Sequence, residues 1–378
     1  MKEKQIHTMG INNKQLLDQV TYAQTRLYDK LIKLDIESLN ISEYNKRYLG
    51  SKIVRLKHML NLYGRLIYLS LSNSQVSPAN FVLVDYGGGS GLISLLAKEI
   101  GIGTVVYNDI YDVSCKDVEI LSNALVLTLD HIVCGDVDEL ASYLQESSIF
   151  IDAIVSYDVL EHIYDVESHF GKLGRLIGRK FRIVYASGAN IENPRYVRSV
   201  KKVQIETEHK TRDKKWGHKE RDSLQAYLDV RENMISAYAP DLSLEVVKQL
   251  ARSTRGLIQR DIEKCVDEFR LQGSITYHMD HPTNTCDPYS GNWCEHLMDF
   301  EWLEQVVRNG GFLVKIIPGR YHTYGSLLKR SAQILLNAML RLLGRRGMFI
   351  APYYVVYAEF AEQGAAPDRY SAALHSGR

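Results

Sequence analysis

An apolar run that closes on an acid and passes directly into a cluster of glycines restricts this chain more than any other feature: Phe81-Val82-Leu83-Val84-Asp85-Tyr86-Gly87-Gly88-Gly89-Ser90-Gly91-Leu92-Ile93-Ser94. A strand that feeds a glycine loop opening a helix presents backbone N–H groups at a helix N-terminus with no Cβ in the way, which suits a nucleotide-like ligand. The dinucleotide form, Gly-x-Gly-x-x-Gly, requires a small residue three places after its second glycine. Counted from Gly87 and Gly89, that place holds Leu92, so the NAD form is a poor match. A tight turn without a ligand needs one glycine, and three in a row only add to the entropy lost on folding.

Around the loop the chain has an α/β rhythm. Short apolar runs at 81–86, 104–108, 131–134, 151–157 and 181–186 alternate with helical segments, as expected for a parallel sheet whose strands are buried on both faces. Before the loop, apolar residues recur at helical spacing without a proline, as in Leu27, Leu31, Leu34 and again Ile53, Leu56, Leu60, Tyr63, Ile67, which predicts two or more helices. Between about 187 and 295 the alternation stops and the chain becomes polar, Tyr-rich and helical from 223 to 271. It resumes with a helix at 300–309, the Gly310-Gly311 turn, a strand at 312–317 and a last apolar run at 353–360. The expected division is a helical N-terminal cover over 1–75, a core over 76–187 and 296–361, an insertion over 188–295 and a loose tail over 362–378.

Composition narrows the classes further. With 378 residues, 45% hydrophobic, 24% charged and only 8 prolines, disordered and fibrous architectures are excluded and a packed core is expected. The net charge of +1 supplies no global field for nucleic acid or anionic lipid, so any such attraction has to be local. Five scattered cysteines without a Cys-x-x-Cys pair suggest neither a disulfide framework nor a thiolate zinc site, and a cytoplasmic location follows. The start, Met1-Lys2-Glu3-Lys4, has no apolar segment behind it that reads as an export signal, and no run approaches the ~18 apolar residues of a spanning helix.

The glycine loop matches Asp-x-Gly-x-Gly-x-Gly, as Asp85, Gly87, Gly89 and Gly91, and in this it resembles the first motif of class I S-adenosylmethionine-dependent methyltransferases. That resemblance implies a Rossmann-like α/β fold with a seven-stranded, mostly parallel sheet and an antiparallel last strand. It also implies that Asp85 helps to hold the loop and the amino-acid end of S-adenosylmethionine. Asp109, twenty residues beyond Gly89, ends the second apolar run where a carboxylate can accept both ribose hydroxyls, and Ile110 would then cover the adenine. Cys134-Gly135-Asp136-Val137 resembles the family's third motif, whose Asp accepts from the adenine amino group. The run Ile151-Asp152-Ala153-Ile154-Val155-Ser156-Tyr157-Asp158-Val159-Leu160-Glu161-His162 looks like the strand-four motif, which adds Tyr157 to the cofactor set.

Methyl transfer to a hydroxyl needs alignment and removal of a proton. Asp158, Glu161 and His162, at i, i+3 and i+4, are expected on one helical face at the mouth of the sheet, with His162 as the base and Glu161 orienting it. The same residues resemble the acidic-and-histidine set that binds a divalent ion in ubiquinone-pathway and small-RNA terminal methyltransferases, and hard oxygen ligands with one imidazole suit Mg or Mn. A third reading leaves the acids complementing a helix N-terminus and His162 packing on the loop.

Within the insertion, 278–296 concentrates His281, Asn284, Tyr289 and Trp293, either as a substrate-facing lid or as a well-braced loop. Between 201 and 222 eight basic residues meet five acidic ones, with Arg195 and Arg198 just upstream. This is a solvated segment or a contact for a phosphate-bearing acceptor. The segment 326–347 carries Lys329, Arg330, Arg341, Arg345 and Arg346 and no acid. Arg330, Gln333, Asn337 and Arg341 form a polar stripe opposite Leu328, Ala332, Leu335, Met339 and Leu342. Such a helix suits a peripheral contact with an anionic membrane, a partner groove, or packing in the core or a dimer interface. The expected function is O-methylation of a small-molecule, glycan or lipid-linked acceptor. An RNA-directed enzyme and a SAM-binding module without turnover are the alternatives.

Overall fold

The computed structural model describes residues 13–176, 181–213, 223–279, 281–322 and 326–360. Lys214, Lys215, Trp216, Lys219 and Arg221 of the basic segment and the tail 362–378 lie outside them.

Three helices come first: α1 (Asn13–Lys33), α2 (Glu43–Ile53) and α3 (Leu56–Leu71). Leu16, Val20, Ala23, Leu27 and Leu31 make one buried stripe along α1, and Leu60, Ile67 and Leu71 help to do the same on α3. Ser42 caps α2 by accepting from Asn45 N, and the Ser42 N–H donates to Asp117 at 3.0 Å, which fixes where α2 starts.

The core then alternates as β1 (Val82–Tyr86), α4 (Leu92–Ile100), β2 (Thr104–Asp109), α5 (Asp112–Ala124), β3 (His131–Cys134), α6 (Val137–Glu146), β4 (Ala153–Tyr157), α7 (Val166–Leu173) and β5 (Arg182–Ser187). The insertion contributes α8 (Pro194–His209), α9 (Tyr227–Tyr238), α10 (Leu244–Ser253) and α11 (Gln259–Gln272). The core closes with α12 (Phe300–Asn309), β6 (Phe312–Pro318), α13 (Leu327–Leu343) and β7 (Tyr354–Phe360).

The strand order is β3-β2-β1-β4-β5-β7-β6. Every neighbouring pair is parallel except those of β7, which runs antiparallel to both β5 and β6. The chain therefore reverses its direction of progress across the sheet between β1 and β4, and the crevice at their carboxyl ends is where an open α/β sheet receives a ligand. One apolar core lies between the sheet and α1, α3 and α4, and a second lies on the opposite face under α6, α7 and α12. The N-terminal helices are thus a layer of the core itself.

The insertion has its own small core of Ile235, Val247, Leu250, Ile262 and Val266. Arg231, fully buried, ties it together: its Nε donates to the Ala251 carbonyl at 2.8 Å and its guanidinium pairs with Glu208 of α8, which also accepts from the Thr285 hydroxyl at 2.8 Å. The helix α13 inverts the usual arrangement. Gln333 and Leu340 are buried and the Asn337 side chain bonds both N and O of Tyr321, while Leu328, Leu335 and Leu342 of the apolar face are 85%, 63% and 87% exposed. Among the described residues no helix is long and apolar enough to cross a membrane.

Removing Glu208 leaves a buried guanidinium without its charge partner. Glu208→Ala should lower the unfolding free energy by ~3–5 kcal/mol, whereas the double replacement Glu208→Leu with Arg231→Met should cost far less. Denaturant titration of the two variants checks both values.

Candidate active site

The glycine loop is triangulated by three side chains. Asp85, at the end of β1 and fully buried, accepts from Ser94 N at 2.9 Å and Ser94 Oγ at 2.7 Å, so strand and helix α4 are clamped across the loop. Burial pushes its carboxyl up to about 7 against the opposing effect of the Ser94 bonds, and its Oδ1 accepts no hydrogen bond. Tyr107 Oη donates to the Gly89 carbonyl at 2.7 Å, and Gly89 N donates to Asp109 Oδ2 at 2.8 Å. The loop has no room for side chains. Gly87 has φ +68° and a Cβ there would lie 2.4 Å from Val159 Cγ2; Gly91 has φ +70° and a Cβ 2.3 Å from Val118 Cγ2.

Beside the loop, Asp109 Oδ1 accepts from Tyr111 N at 2.8 Å. These two N–H bonds fix the carboxylate and leave further lone pairs for hydroxyl donors. Ile110 next to it is 51% exposed, open to a flat apolar partner. Asp136 serves α6 first: it is the N-cap and forms a capping box with Glu139, accepting from Asp138 N at 2.7 Å. Val137 turns its side chain into the second core, which removes that side chain from the ligand surface.

Helix α2 supplies a wall that the motifs do not contain. Tyr48 stands over the loop, 3.3 Å from where a Gly89 Cβ would be, and its ring stacks with Tyr44, which meets Tyr111 edge-on at 5.2 Å. Lys52 Nζ lies 4.9 Å from the Tyr48 ring centroid. Tyr44, Tyr48 and Lys52 share one helix face at four-residue spacing, a pattern visible in the sequence once α2 is known to face the loop.

Beyond β4 the expected single helical face does not form. Asp158 is held left-handed at φ +55°, and only one 3-10 turn, Leu160–His162, follows. Asp158, Glu161 and His162 therefore do not share one helical face. Among the described residues no three His, Cys, Asp or Glu side chains are grouped to hold a metal ion, so the Mg or Mn arrangement expected of these three is not built. Asp158 is accessible to solvent yet enclosed by protein on most sides, as on the floor of a cleft; Gly188 N reaches its Oδ1 at 3.3 Å. Burial and then Glu295 push its carboxyl up, while Lys52 pulls it down.

Glu161 is wholly buried with no hydrogen-bond partner on either oxygen, although Ser187 is close enough to favour its charged form. Burial, then Asp158, then Glu295 hold it well above the usual carboxylate range. Glu295, also left-handed at φ +57°, accepts from Tyr196 Oη at 2.8 Å. Two non-glycine residues in this conformation at one cleft store strain of ~1–3 kcal/mol each.

His162 is oriented by a group other than Glu161. Its Nδ1 lies 2.8 Å from the Trp293 carbonyl oxygen, which can only accept, so Nδ1 carries the proton and Nε2 holds the free lone pair. Trp293 itself is buried between Tyr164 and His296, its Nε1 donating to the Tyr164 carbonyl at 3.2 Å. Asn284 is interior too, bonded to Gln204 and to the backbone of Leu297, and Tyr289 is 62% exposed on the outside of the loop. His281 is half-buried, its ring pushed toward the neutral form by burial, Lys201 and Arg255. The 278–296 segment is thus a braced loop that positions His162 and delivers Glu295. Neither role was legible without the fold. Arg195 and Arg198 are exposed.

Residues 84–180 match the family model described as a methyltransferase domain. No curated protein matches the chain by sequence. Among solved structures, a SAM-dependent methyltransferase from Streptococcus mutans is 16% identical over 38% of each chain at TM-score 0.29, so this chain spans well under half of that protein. One described as S-adenosylmethionine-dependent from Listeria monocytogenes is 9% identical over 80% of this chain and 97% of that one at TM-score 0.36. Geranyl diphosphate C-methyltransferase from Streptomyces coelicolor A3(2), solved with Mg2+, geranyl diphosphate and S-adenosyl-L-homocysteine, is 12% identical over 85% of both chains at TM-score 0.37.

Asp109→Ala unpins Gly89 and removes the carboxylate expected to accept two ribose hydroxyls. It should weaken S-adenosylmethionine binding by ~1.5–3 kcal/mol, read by calorimetry on a variant whose melting curve shows it folded.

Proposed function

We propose, for a chain that is a class I S-adenosylmethionine-dependent methyltransferase, that methyl is placed on an acceptor oxygen whose proton passes to Nε2 of His162. The observation that carries this is the bond from Nδ1 to the Trp293 carbonyl, because it leaves the second nitrogen as a base in a fixed direction. S-adenosylmethionine, when bound, supplies an electrophilic methyl on a sulfonium, and the glycine cradle with its unfilled Asp85 Oδ1 fits such a cofactor. The chain's own groups do the rest. The O–H proton goes to Nε2, and Asp158 offsets the imidazolium charge that results. Burial, Asp158 and Glu295 raise the Glu161 carboxyl, which favours its neutral form and so reduces the negative charge set against the developing oxyanion.

His162→Ala should keep S-adenosylmethionine affinity and lose ~10²–10⁴-fold in turnover, measured as release of S-adenosylhomocysteine. Because Asp158, Glu161 and His162 form no metal-holding group among the described residues, chelator should leave turnover unchanged; loss with chelator and recovery with Mg or Mn would restore the metal reading.

The acceptor class we favour is one met at a membrane surface. Support comes from α13, whose Leu327, Leu328, Leu335 and Leu342 are 81%, 85%, 63% and 87% exposed beside Arg330 and Arg346, which form no ion pair among the described residues. Arg345 is paired with Glu192 and Glu304 instead. Apolar burial among lipid headgroups and attraction of basic residues, ~1 kcal/mol each near an anionic surface, act together on such a face. The full chain should co-sediment with vesicles containing anionic phospholipid, less so in high salt, and Leu335→Glu with Leu342→Glu should leave it in the supernatant. The net charge of +1 offers no comparable support for RNA.

A further inference from the structure

The edge of the sheet that carries Asp158 also carries a group of basic side chains with no acid to answer them. Arg65 projects from α3, Arg320 follows β6, and Arg341 stands on α13; none of the three pairs with a carboxylate among the described residues. Arg65 Nε is buried without an acceptor, and so are His322 Nε2 and the Tyr353 hydroxyl. The His58 and His322 rings meet edge-on at 4.5 Å. Burial, then Arg65 and Arg341, push Arg320 down to about 10; Arg65 is lowered by burial, which Tyr353 opposes and Arg341 reinforces. His322 is pushed to about 3 by burial, His58 and Arg65, so its imidazole is a neutral hydrogen-bond partner here and adds no positive charge.

Converging cations and idle donors cost folding energy unless something outside the chain completes them. Their position says what that is. β6 is parallel to β4, so Arg320 leaves the sheet at the same end as Asp158, and Tyr353 precedes the antiparallel β7 at that end too. Tyr353 packs on Gly319, where a Cβ would fall 2.4 Å from its ring, and it lies near Tyr157, whose phenol is raised by burial first, then by Asp158, Glu161 and Tyr353.

We infer that Arg65, Arg320 and Arg341, with the Tyr353 hydroxyl, form an anion subsite beside the methyl-transfer cleft that takes a phosphate or diphosphate group of the acceptor. The inference rests on the methyl-transfer reading for the word acceptor, and on the unpaired donors alone for the site. Planar guanidinium forks suit the oxygens of a phosphate better than a single carboxylate, which cannot satisfy three of them.

Calorimetry of inorganic pyrophosphate into the full chain saturated with S-adenosylhomocysteine tests it without any turnover. Pyrophosphate should bind, and Arg65→Gln and Arg320→Gln should each weaken it at least tenfold while S-adenosylhomocysteine affinity stays unchanged. His162→Ala should bind pyrophosphate as the native chain does, so failure of the base assignment and failure of the subsite are separable. Without pyrophosphate, Arg65→Gln should melt at or above the native temperature, since it relieves repulsion; a lower melting temperature would make the arginines structural and overturn the site. Absence of pyrophosphate binding, or binding indifferent to both substitutions, overturns it as well. Displacement of pyrophosphate by phosphatidic acid vesicles assigns the phosphate to a lipid headgroup and its persistence assigns it to a soluble ester, and either sustains the subsite.

Discussion

The clamp of Asp85 on Ser94 is the contact on which the site depends. It crosses the loop and holds the end of β1 against the first turn of α4. With those ends fixed, the glycines between them have one path, and Tyr107 and Asp109 each take hold of Gly89 from β2. A buried carboxyl raised to about 7 is an expensive anchor. Its cost falls on the folded state as pH rises from the ordinary carboxyl range toward neutrality, because the folded chain holds that proton more tightly than the unfolded one does.

The same sheet edge collects two charge groups of opposite sign, and neither is balanced within itself. Asp158, Glu161 and Glu295 lie on one side, where burial raises the first two and Glu295 adds to both, while Arg65, Arg320 and Arg341 lie on the other. A core built for stability alone would have paired them across the cleft. Keeping them apart leaves the two ends of the cleft unlike in charge, with Tyr157 beside the acidic group. The two left-handed residues, Asp158 and Glu295, sit at the acidic pole, so backbone strain and charge strain coincide there.

Helix α13 connects these local features to the surface. Its inward side holds Gln333 and Leu340, and Asn337 meets Tyr321, while Arg341 stays exposed and near enough to Arg320 to act on it. Leu327, Leu328, Leu335 and Leu342 are left facing outward.

The sequence by itself determined the strands, the loop and the cofactor motifs. Local rules suffice for these: apolar runs of strand length place β1 to β7 within two residues of their observed ends, His131–Cys134 and Phe300–Asn309 fall where spacing puts them, and a glycine cluster after a strand can do little else. Only the tertiary structure decided what faces the ligand. The spacing of Asp158, Glu161 and His162 suggests one helical face, but β4 ends in a left-handed residue imposed by its packing against β5, whose Ala186 carbonyl accepts from Asp158 N at 2.9 Å. Trp293 looked like a substrate contact and proved to orient His162 through its backbone carbonyl, a group no side-chain pattern reveals. Tyr48 meets Gly89 and Glu295 meets Tyr196 only through the tertiary fold, and periodicity within one element carries no record of which other element it will meet.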